Sequence, residues 1–343
     1  MASQAYEKLL ADINGYMRSS ILAAMAELDL ATILLEHGNK LGAADLARLA
    51  GADERGCRML LDALVAHGYF AKTGTGDEAL YGVCEEWRDL LDSRRPDSFI
   101  PFLRHSACCQ RSWSRLGNAV KSGEPQIAEA SFLGPDEDQK SFIMGMNSLA
   151  TRLREPVLEA MQASGHFPDA SVPIRVLDLG GASGTYTEAL LDMLPLASAT
   201  IFDLPVGIAR AREKFSGHRH GQRVSFAEGD FTSVGLPPDQ DFVWLSAIIH
   251  QMDRQDCRRL YAKIFNALKS GGILAIRDFV MEKSGTCPPA GTLFALNMLV
   301  QTERGRVYTL DEIGDDLRQC GFEDIDLAVK RDDMGSVVVA RKP

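Results

Sequence analysis

Three aspartates stand where their carboxylates could share one ligand. Asp178, Asp203 and Asp230 each follow a short apolar segment that the residue pattern predicts to be a strand. Parallel strands bind ligands beyond their carboxyl ends, along one edge of the sheet. A carboxylate there accepts charge-assisted hydrogen bonds from ribose hydroxyls or from the adenine amine, but it does not help to bind a pyrophosphate. The set favours a nucleoside-bearing ligand, although Asp203 or Asp230 alone could merely cap a following helix.

A glycine-rich loop follows the first of these predicted strands. It runs Gly180-Gly181-Ala182-Ser183-Gly184, and small residues there let the backbone approach a ligand and leave N–H groups at a helix start. A dinucleotide fingerprint requires G-x-G-x-x-G, whereas the positions counted from Gly180 hold Ala182 and Thr185. The spacing therefore disfavours a nicotinamide dinucleotide and fits an acid-x-Gly-x-small-x-Gly loop.

One histidine is a candidate general base. His250 lies just past the fourth predicted strand, beside the predicted ligand site. A near-neutral imidazole there suits removal of a proton from a bound molecule. The alternative is that His250 caps the helix that starts near Asp253.

The elements that position these residues alternate between strand and helix. After Pro173, short apolar segments recur between helical patterns. The predicted strands are residues 174–178, 200–203, 224–226, 241–245, 273–276 and 337–339. This alternation predicts an α/β fold with a parallel, doubly wound, Rossmann-like sheet covered on both faces.

The N-terminal third has a different, helical pattern. Residues 6–35 carry apolar residues at helical spacing, and residues 43–51 with a second helix capped by Asp53 form a helix-turn-helix. Residues 69–81 resemble a hairpin, so the whole predicts a winged helix. Residues 41–70 hold three basic and four acidic side chains, which favours dimerisation over DNA binding. The predicted domains are 1–110 (dimerisation), 111–165 (helical linker) and 166–343 (Rossmann-like).

Composition limits the partners. The 343 residues carry a net charge of −10, which gives no reason to expect nucleic acid. No apolar run reaches the roughly 18 residues of a membrane span, and the charged N-terminus does not resemble a signal peptide. The seven cysteines include no C-x-x-C pair, so we expect reduced thiols, no metal site and a cytoplasmic location.

In order and spacing, the motifs resemble those of the plant caffeic acid and hydroxyindole O-methyltransferase family. They are residues 176–184, Phe202-Asp203-Leu204-Pro205, Gly229-Asp230-Phe231 and residues 248–253, and the likeness covers nearly the whole chain. The resemblance implies an S-adenosylmethionine-dependent O-methyltransferase, acting on a small aromatic hydroxyl compound as an intertwined homodimer. It also implies that the helical linker, 111–165, contributes to an acceptor pocket and that the third domain, 166–343, is catalytic.

The resemblance also assigns roles to residues. The methyl donor S-adenosylmethionine, and its product S-adenosylhomocysteine, would contact Asp178, Gly180, Ala182, Gly184, Asp203, Leu204, Asp230, Phe231, Ser246 and Met252. The acceptor would contact His105, Phe142, Met146, Met298 and Thr302. His250 matches the catalytic base and Asp278 the first of two acids that orient it, while Val307 stands at the place of the second acid.

One of the departures from the family pattern, at Val307, keeps other reactions open. Ala182 replaces the usual glycine, a change that the loop should tolerate, and Val307 leaves the base with one orienting acid. N- or C-methylation therefore remains open, as does a relative that binds S-adenosylmethionine but catalyses decarboxylation or hydroxylation. A winged-helix regulator that senses a ligand is a further alternative.

Overall fold

A computed structural model describes residues 3–126 and 136–343, with side chains outside residues 136–140. They form two compact units. One unit consists of the described parts of Met1–Arg111 and Ser131–Leu149, and the other of those of Ser112–Ala130 and Ala150–Pro343. The predicted domain boundaries at residues 110 and 165 stay predictions.

The α-helices of the described residues are α1 (Gln4–Ile13), α2 (Gly15–Glu27), α3 (Leu30–Glu36), α4 (Ala43–Ala50), α5 (Glu54–Ala66), α6 (Arg88–Leu91), α7 (Ile100–Trp113), α8 (Leu116–Ser122), α9 (Asp136–Ala163), α10 (Thr185–Met193), α11 (Pro205–Phe215), α12 (Arg254–Ala267), α13 (Pro289–Gln301) and α14 (Leu310–Gln319). The strands are β1 (Leu41–Gly42), β2 (Phe70–Thr73), β3 (Leu80–Val83), β4 (Arg175–Leu179), β5 (Ser198–Asp203), β6 (Val224–Glu228), β7 (Gln240–Ser246), β8 (Leu268–Asp278), β9 (Val280–Met281), β10 (Tyr308–Thr309), β11 (Glu323–Val329) and β12 (Ser336–Arg341).

The second unit is built on a seven-stranded sheet with the order β11-β12-β8-β7-β4-β5-β6. The chain fills one side of β4 with β5 and β6 and then crosses to the other side with β7 and β8, all in parallel. The strand order therefore reverses between β4 and β7. Sheets of this type bind ligands at such a switch point, outside the carboxyl ends of the strands.

The prediction of a wholly parallel sheet is wrong at one edge. β12 pairs antiparallel with both β8 and β11. The connection from β11 to β12 is a short turn, residues 330–335, and parallel strands need a crossover of a dozen or more residues. β11 was missed because polar residues interrupt its apolar pattern, as in Glu323-Asp324-Ile325-Asp326.

Both faces of the central strands are buried, which explains their continuous apolar runs. Val176 and Trp244 belong to the core on one face of the sheet. Leu177 and Val243, the neighbours of these residues in the chain, belong to the core on the other face. Side chains alternate along a strand, so Arg277 and Asp278 at the end of β8 also point to opposite faces.

The first unit contains the predicted winged helix. The Asp53 side chain accepts hydrogen bonds from the amides of Arg55 and Gly56 and so caps α5, as predicted. β2 and β3 form the hairpin, and β1 completes a three-stranded antiparallel sheet. The hydrophobic core of this unit contains Leu46 of α4 and Leu61 of α5.

None of the helices in the described parts of the chain has both the length and the apolar character to cross a membrane. None of the cysteines, all of them described, forms a disulfide. The cytoplasmic location stays a prediction.

Candidate functional site

The glycine loop after β4 has a backbone that only small residues tolerate. Gly180 and Gly184 have φ of 73° and 74°, in the left-handed region that glycine adopts without strain. A Cβ on Gly180 would lie 2.5 Å from the Ile248 side chain, and one on Gly184 would lie 2.6 Å from Ile201. Ala182, with φ of 46°, holds the same conformation with a side chain. The loop packs closely against its neighbours and leads directly into α10.

Asp203, at the end of β5, holds this loop. Its carboxylate accepts hydrogen bonds of 2.7 Å from the amides of Ala182 and Leu204. Burial raises the pKa of the carboxyl, although both amide bonds act in the opposite direction. No side chain caps the start of α11, so the alternative of a simple helix cap is wrong for Asp203. Leu204 itself is largely exposed.

Asp178 lies beneath the glycine loop. It is almost fully buried and accepts a 2.6 Å hydrogen bond from the Thr187 hydroxyl of α10. A Cβ on Gly181 would lie 2.7 Å from its carboxyl carbon. Burial raises the pKa of Asp178 to about 6. The residue thus connects β4, the loop and α10 at the base of the site.

Asp230 shapes the turn that follows β6. Its carboxylate accepts from the amide and the hydroxyl of Thr232, at 2.8 and 2.7 Å. Residues 231–234 form a turn and no helix, so the helix-cap alternative is wrong for Asp230 as well. Phe231, Met252 and Leu260 line a small cleft beside this turn.

Lys263 is a residue of this site that the sequence reasoning missed. From α12, its ammonium donates to the carbonyls of Phe231, Thr232 and Val234 at 2.7–2.9 Å. All three donors of the ammonium are therefore used on one turn. No sequence motif marks Lys263, because a lysine on a polar helix face has the same pattern whether or not it binds a turn.

The end of β7 meets β8 through a buried arginine. Arg277 donates to the Ser246 hydroxyl at 2.7 Å and to the Met334 carbonyl at 2.8 Å. Its guanidinium lies 5.1 Å from the centre of the Tyr186 ring. The Ser246 side chain is thereby fixed at the carboxyl end of β7.

His250 and Asp278 form a buried pair. The Nδ1 of His250 lies 2.9 Å from each carboxylate oxygen of Asp278, and both side chains are less than a tenth exposed. The hydrogen-bond network assigns the proton to Nδ1, which leaves Nε2 as the basic nitrogen. Phe294 packs edge-on against the imidazole at 4.8 Å. Asp253, and not His250, caps α12, so that alternative is wrong.

Val307, which the resemblance places at the position of a second orienting acid, has no carboxylate. Among the described residues, Asp278 alone offers a carboxylate to His250. No group of three or more His, Cys, Asp or Glu side chains arranged to hold a metal ion occurs in the described ranges.

The predicted acceptor residues fall in both units. In the first unit, the His105 and Phe142 rings meet edge-on at 5.2 Å, and Met146 is half-buried. In the second, Met298 is buried on α13, and the Thr302 hydroxyl donates to the Met298 carbonyl at 2.7 Å.

Comparisons with known proteins agree with this geometry. The chain matches the O-methyltransferase domain model over residues 113–323 and the O-methyltransferase dimerisation domain model over residues 11–85. Human acetylserotonin O-methyltransferase is 28% identical over 344 residues, which cover 99% of this chain and 98% of that protein. The tetracenomycin polyketide synthesis 8-O-methyl transferase of Streptomyces glaucescens is 30% identical over 331 residues, 95% of this chain and 93% of that protein.

The same human enzyme has a crystal structure in complex with S-adenosylmethionine. It matches this fold with a TM-score of 0.85 at 27% identity, over 99% of this chain and 98% of that one. The fold and the site define an S-adenosylmethionine-dependent methyltransferase. Within that class, the chain belongs to the O-methyltransferase family.

Proposed function

We propose that this enzyme methylates a hydroxyl on a small aromatic molecule, with His250 as the general base. The observation that carries the proposal is the 2.9 Å contact of His250 Nδ1 with both oxygens of Asp278. This contact fixes the ring and its tautomer, so that Nε2 can take the proton of the acceptor. The negative charge of Asp278 also stabilises the imidazolium that forms.

The residues at the switch point fit the methyl donor. Asp203 suits the ribose hydroxyls and Asp230 the adenine amine, since each carboxylate retains unused lone pairs after its backbone bonds. Gly180, Ala182, Gly184 and Ser246 would approach the methionine part, with Phe231 and Met252 beside the adenine and Leu204 at its rim. Asp178 supports the loop from below. When bound, S-adenosylmethionine supplies a methyl group made electrophilic by its sulfonium.

The acceptor is proposed to be a ring system. The named relatives act on acetylserotonin and on a tetracenomycin polyketide. His105, Phe142, Met146, Met298 and Thr302 are proposed to contact it. Most of this set is apolar, and the polarisable side chains of Phe142, Met146 and Met298 favour a flat aromatic guest over a sugar.

The test is a panel of phenols, N-acetylserotonin and polycyclic phenols among them, assayed by mass spectrometry. We expect S-adenosylhomocysteine to form in step with a singly O-methylated product. His250→Ala should abolish turnover while the Kd for S-adenosylhomocysteine changes less than twofold. A methyl on nitrogen or carbon, or an unmethylated product, would contradict the proposal, as would full activity in His250→Ala.

The enzyme is further proposed to act as a homodimer through its N-terminal helices. No residue of α1 is buried, and Tyr6, Leu9, Ile13, Tyr16 and Met17 expose apolar surface. A contiguous exposed apolar face of this kind marks an interaction site. The dimerisation domain match, over residues 11–85, begins near the end of α1 and covers α2 to α5, which supports a second copy as the partner.

The double variant Ile13→Asp, Met17→Asp tests the interface. We expect a dimer for the unchanged chain and a monomer for the variant in sedimentation velocity, because two buried carboxylates would oppose association. Leu196→Asp, on an exposed apolar residue of the other unit, is the control and should remain dimeric. A variant that stays dimeric would contradict this interface.

A further inference from the structure

The base of this enzyme is held by one acid where a second is missing, so another feature must restrict His250. We propose that the segment Thr302–Tyr308, here called the histidine clamp, positions His250 through the backbone, with Gly305 as its critical residue. The inference rests on the proposed role of His250 as the base. These residues are positioning residues, since they act through His250 and not on the acceptor.

The clamp contacts the backbone of His250 directly. The amide of Arg306 donates to the His250 carbonyl at 2.8 Å. At Gly305 the two segments are so close that a Cβ would meet the Thr302 hydroxyl and would lie 2.6 Å from the His250 carbonyl oxygen and 3.3 Å from the Cα of Gln251. Real Cβ atoms do not approach backbone oxygens this closely. A larger residue at position 305 therefore has to push apart the clamp, at the Thr302 hydroxyl, and the loop that carries the base.

The clamp is rigid at its first end. The Thr302 hydroxyl donates to the Met298 carbonyl at 2.7 Å and accepts from the Gly305 amide at 2.9 Å. A single side chain thus joins the end of α13 to the glycine that contacts His250. This bonding gives Thr302 a role in the clamp in addition to its proposed acceptor contact.

The clamp is also rigid at its second end. Tyr308 is almost fully buried, and its hydroxyl donates to the carbonyl of Met252, two residues beyond His250. Burial raises the pKa of Tyr308, so the hydroxyl remains a donor at neutral pH. The loop of the base is therefore held at His250 and again at Met252.

The same segment reaches the chain beyond Asp278. Tyr308 and Thr309 form β10, which pairs in parallel with Val280 and Met281 of β9. β9 begins two residues after Asp278. The clamp thus connects the loop of the base to the strand of its acid, and this connection fixes their separation. It does so without placing a second negative charge beside Asp278.

The test observes the His250–Asp278 hydrogen bond directly. In ¹⁵N-histidine-labelled protein saturated with S-adenosylhomocysteine, the His250 Nδ1–H should give a downfield proton resonance, assigned by its loss in His250→Asn. Gly305→Ala should shift or abolish this resonance and lower kcat by about 10- to 100-fold for the best phenol of the panel, the scale of a displacement of about 1 Å. The Kd for S-adenosylhomocysteine should change less than threefold.

Gly314→Ala is the matched control. Gly314 is buried in α14, where a Cβ would meet only the Arg318 guanidinium, at an ordinary 3.4 Å. We expect the wild-type resonance and kcat in this variant. Tyr308→Phe carries the same test if Gly305→Ala does not fold, because it removes one oxygen and adds no volume.

Each outcome decides a different claim. An unchanged resonance, with or without a loss of kcat, overturns the clamp, because the variant has then not moved the base. A changed resonance supports the clamp. If kcat stays within twofold despite that change, the clamp stands and the proposed role of His250 as base fails.

Discussion

Single residues in this site do work that their type alone does not reveal. Asp178, Asp203 and Asp230 have the same side chain at equivalent strand ends, yet one supports the glycine loop, one restrains it and one closes a turn. Sequence reasoning placed all three at the correct edge of the sheet, because strand ends follow from the apolar pattern. It did not separate their contacts, which depend on neighbours that are distant in the chain.

Ala182 should be a strained residue. Its φ of 46° is one that a residue with a Cβ adopts at a cost of about 1–2 kcal/mol. Ala182→Gly removes that cost. Glycine also raises the entropy of the unfolded chain, which lowers stability by about 0.4–1 kcal/mol. The first effect is the larger, so we expect the free energy of unfolding to rise by about 0.5 kcal/mol or more. Calorimetric unfolding measures it. Ala262→Gly, on the exposed face of α12, should instead lower the free energy of unfolding by about 1 kcal/mol. If Ala182→Gly lowers it by the same amount, Ala182 is not strained.

Asp178 should make stability depend on pH. Its pKa is raised to about 6 in the folded protein, above its unfolded value, so the folded state binds the proton more tightly. Its contribution is therefore most favourable below pH of about 4 and is lost as pH rises to about 6. Asp178→Asn removes this loss, and the difference in Tm between the variant and the wild type should move in favour of the variant across that window. A difference that is constant from pH 4 to 7 would contradict the assignment.

At the scale of elements, the strand ends and their connecting turns set the site. The alternation of strands and helices predicts β4 to β8 and their parallel pairing. The structure has these strands in one sheet, with the predicted loops at their carboxyl ends. β11 and the direction of β12 were beyond that reasoning, because both depend on a hairpin at the edge of the sheet. The contacts of Lys263 and of the histidine clamp could not be predicted for a similar reason. Each donates hydrogen bonds to backbone carbonyls, which no sequence pattern marks.

Lys263 should control affinity for the cofactor. Lys263→Met removes the three bonds that hold the turn after β6, and we expect an approximately tenfold weaker Kd for S-adenosylhomocysteine, about 1.4 kcal/mol. Lys269→Met, which breaks an exposed ion pair with Asp241, is the control. Isothermal titration calorimetry distinguishes them. Equal affinities in the two variants would show that the turn needs no support from Lys263.

At the scale of the whole molecule, the net charge and the family match indicate the role of the winged helix. The charge of −10 opposes binding to DNA, and the family match assigns this region to dimerisation. The balance of basic and acidic residues on the helix-turn-helix predicts the same role, dimerisation and not DNA binding. The acceptor could not be predicted, because the residues proposed to contact it are mostly apolar and apolar side chains do not distinguish one ring system from another.

Activity should persist after metal removal. The proposed base is His250, held by Asp278, so the proposed mechanism needs no metal-bound hydroxide to take the proton. We expect unchanged kcat after dialysis against EDTA, measured with the best phenol of the panel. A loss of activity that magnesium restores would contradict a metal-independent mechanism.

The most direct measurement compares Asp203→Ala and His250→Ala in one set of titrations with S-adenosylhomocysteine and one set of turnover assays. Asp203→Ala should weaken binding by about 1.5–3 kcal/mol, more than tenfold, because a charge-assisted hydrogen bond is lost. His250→Ala should bind as tightly as the wild type and yet transfer no methyl group. If His250→Ala loses the cofactor, or Asp203→Ala retains it, the division of the site into a donor half and a base is wrong.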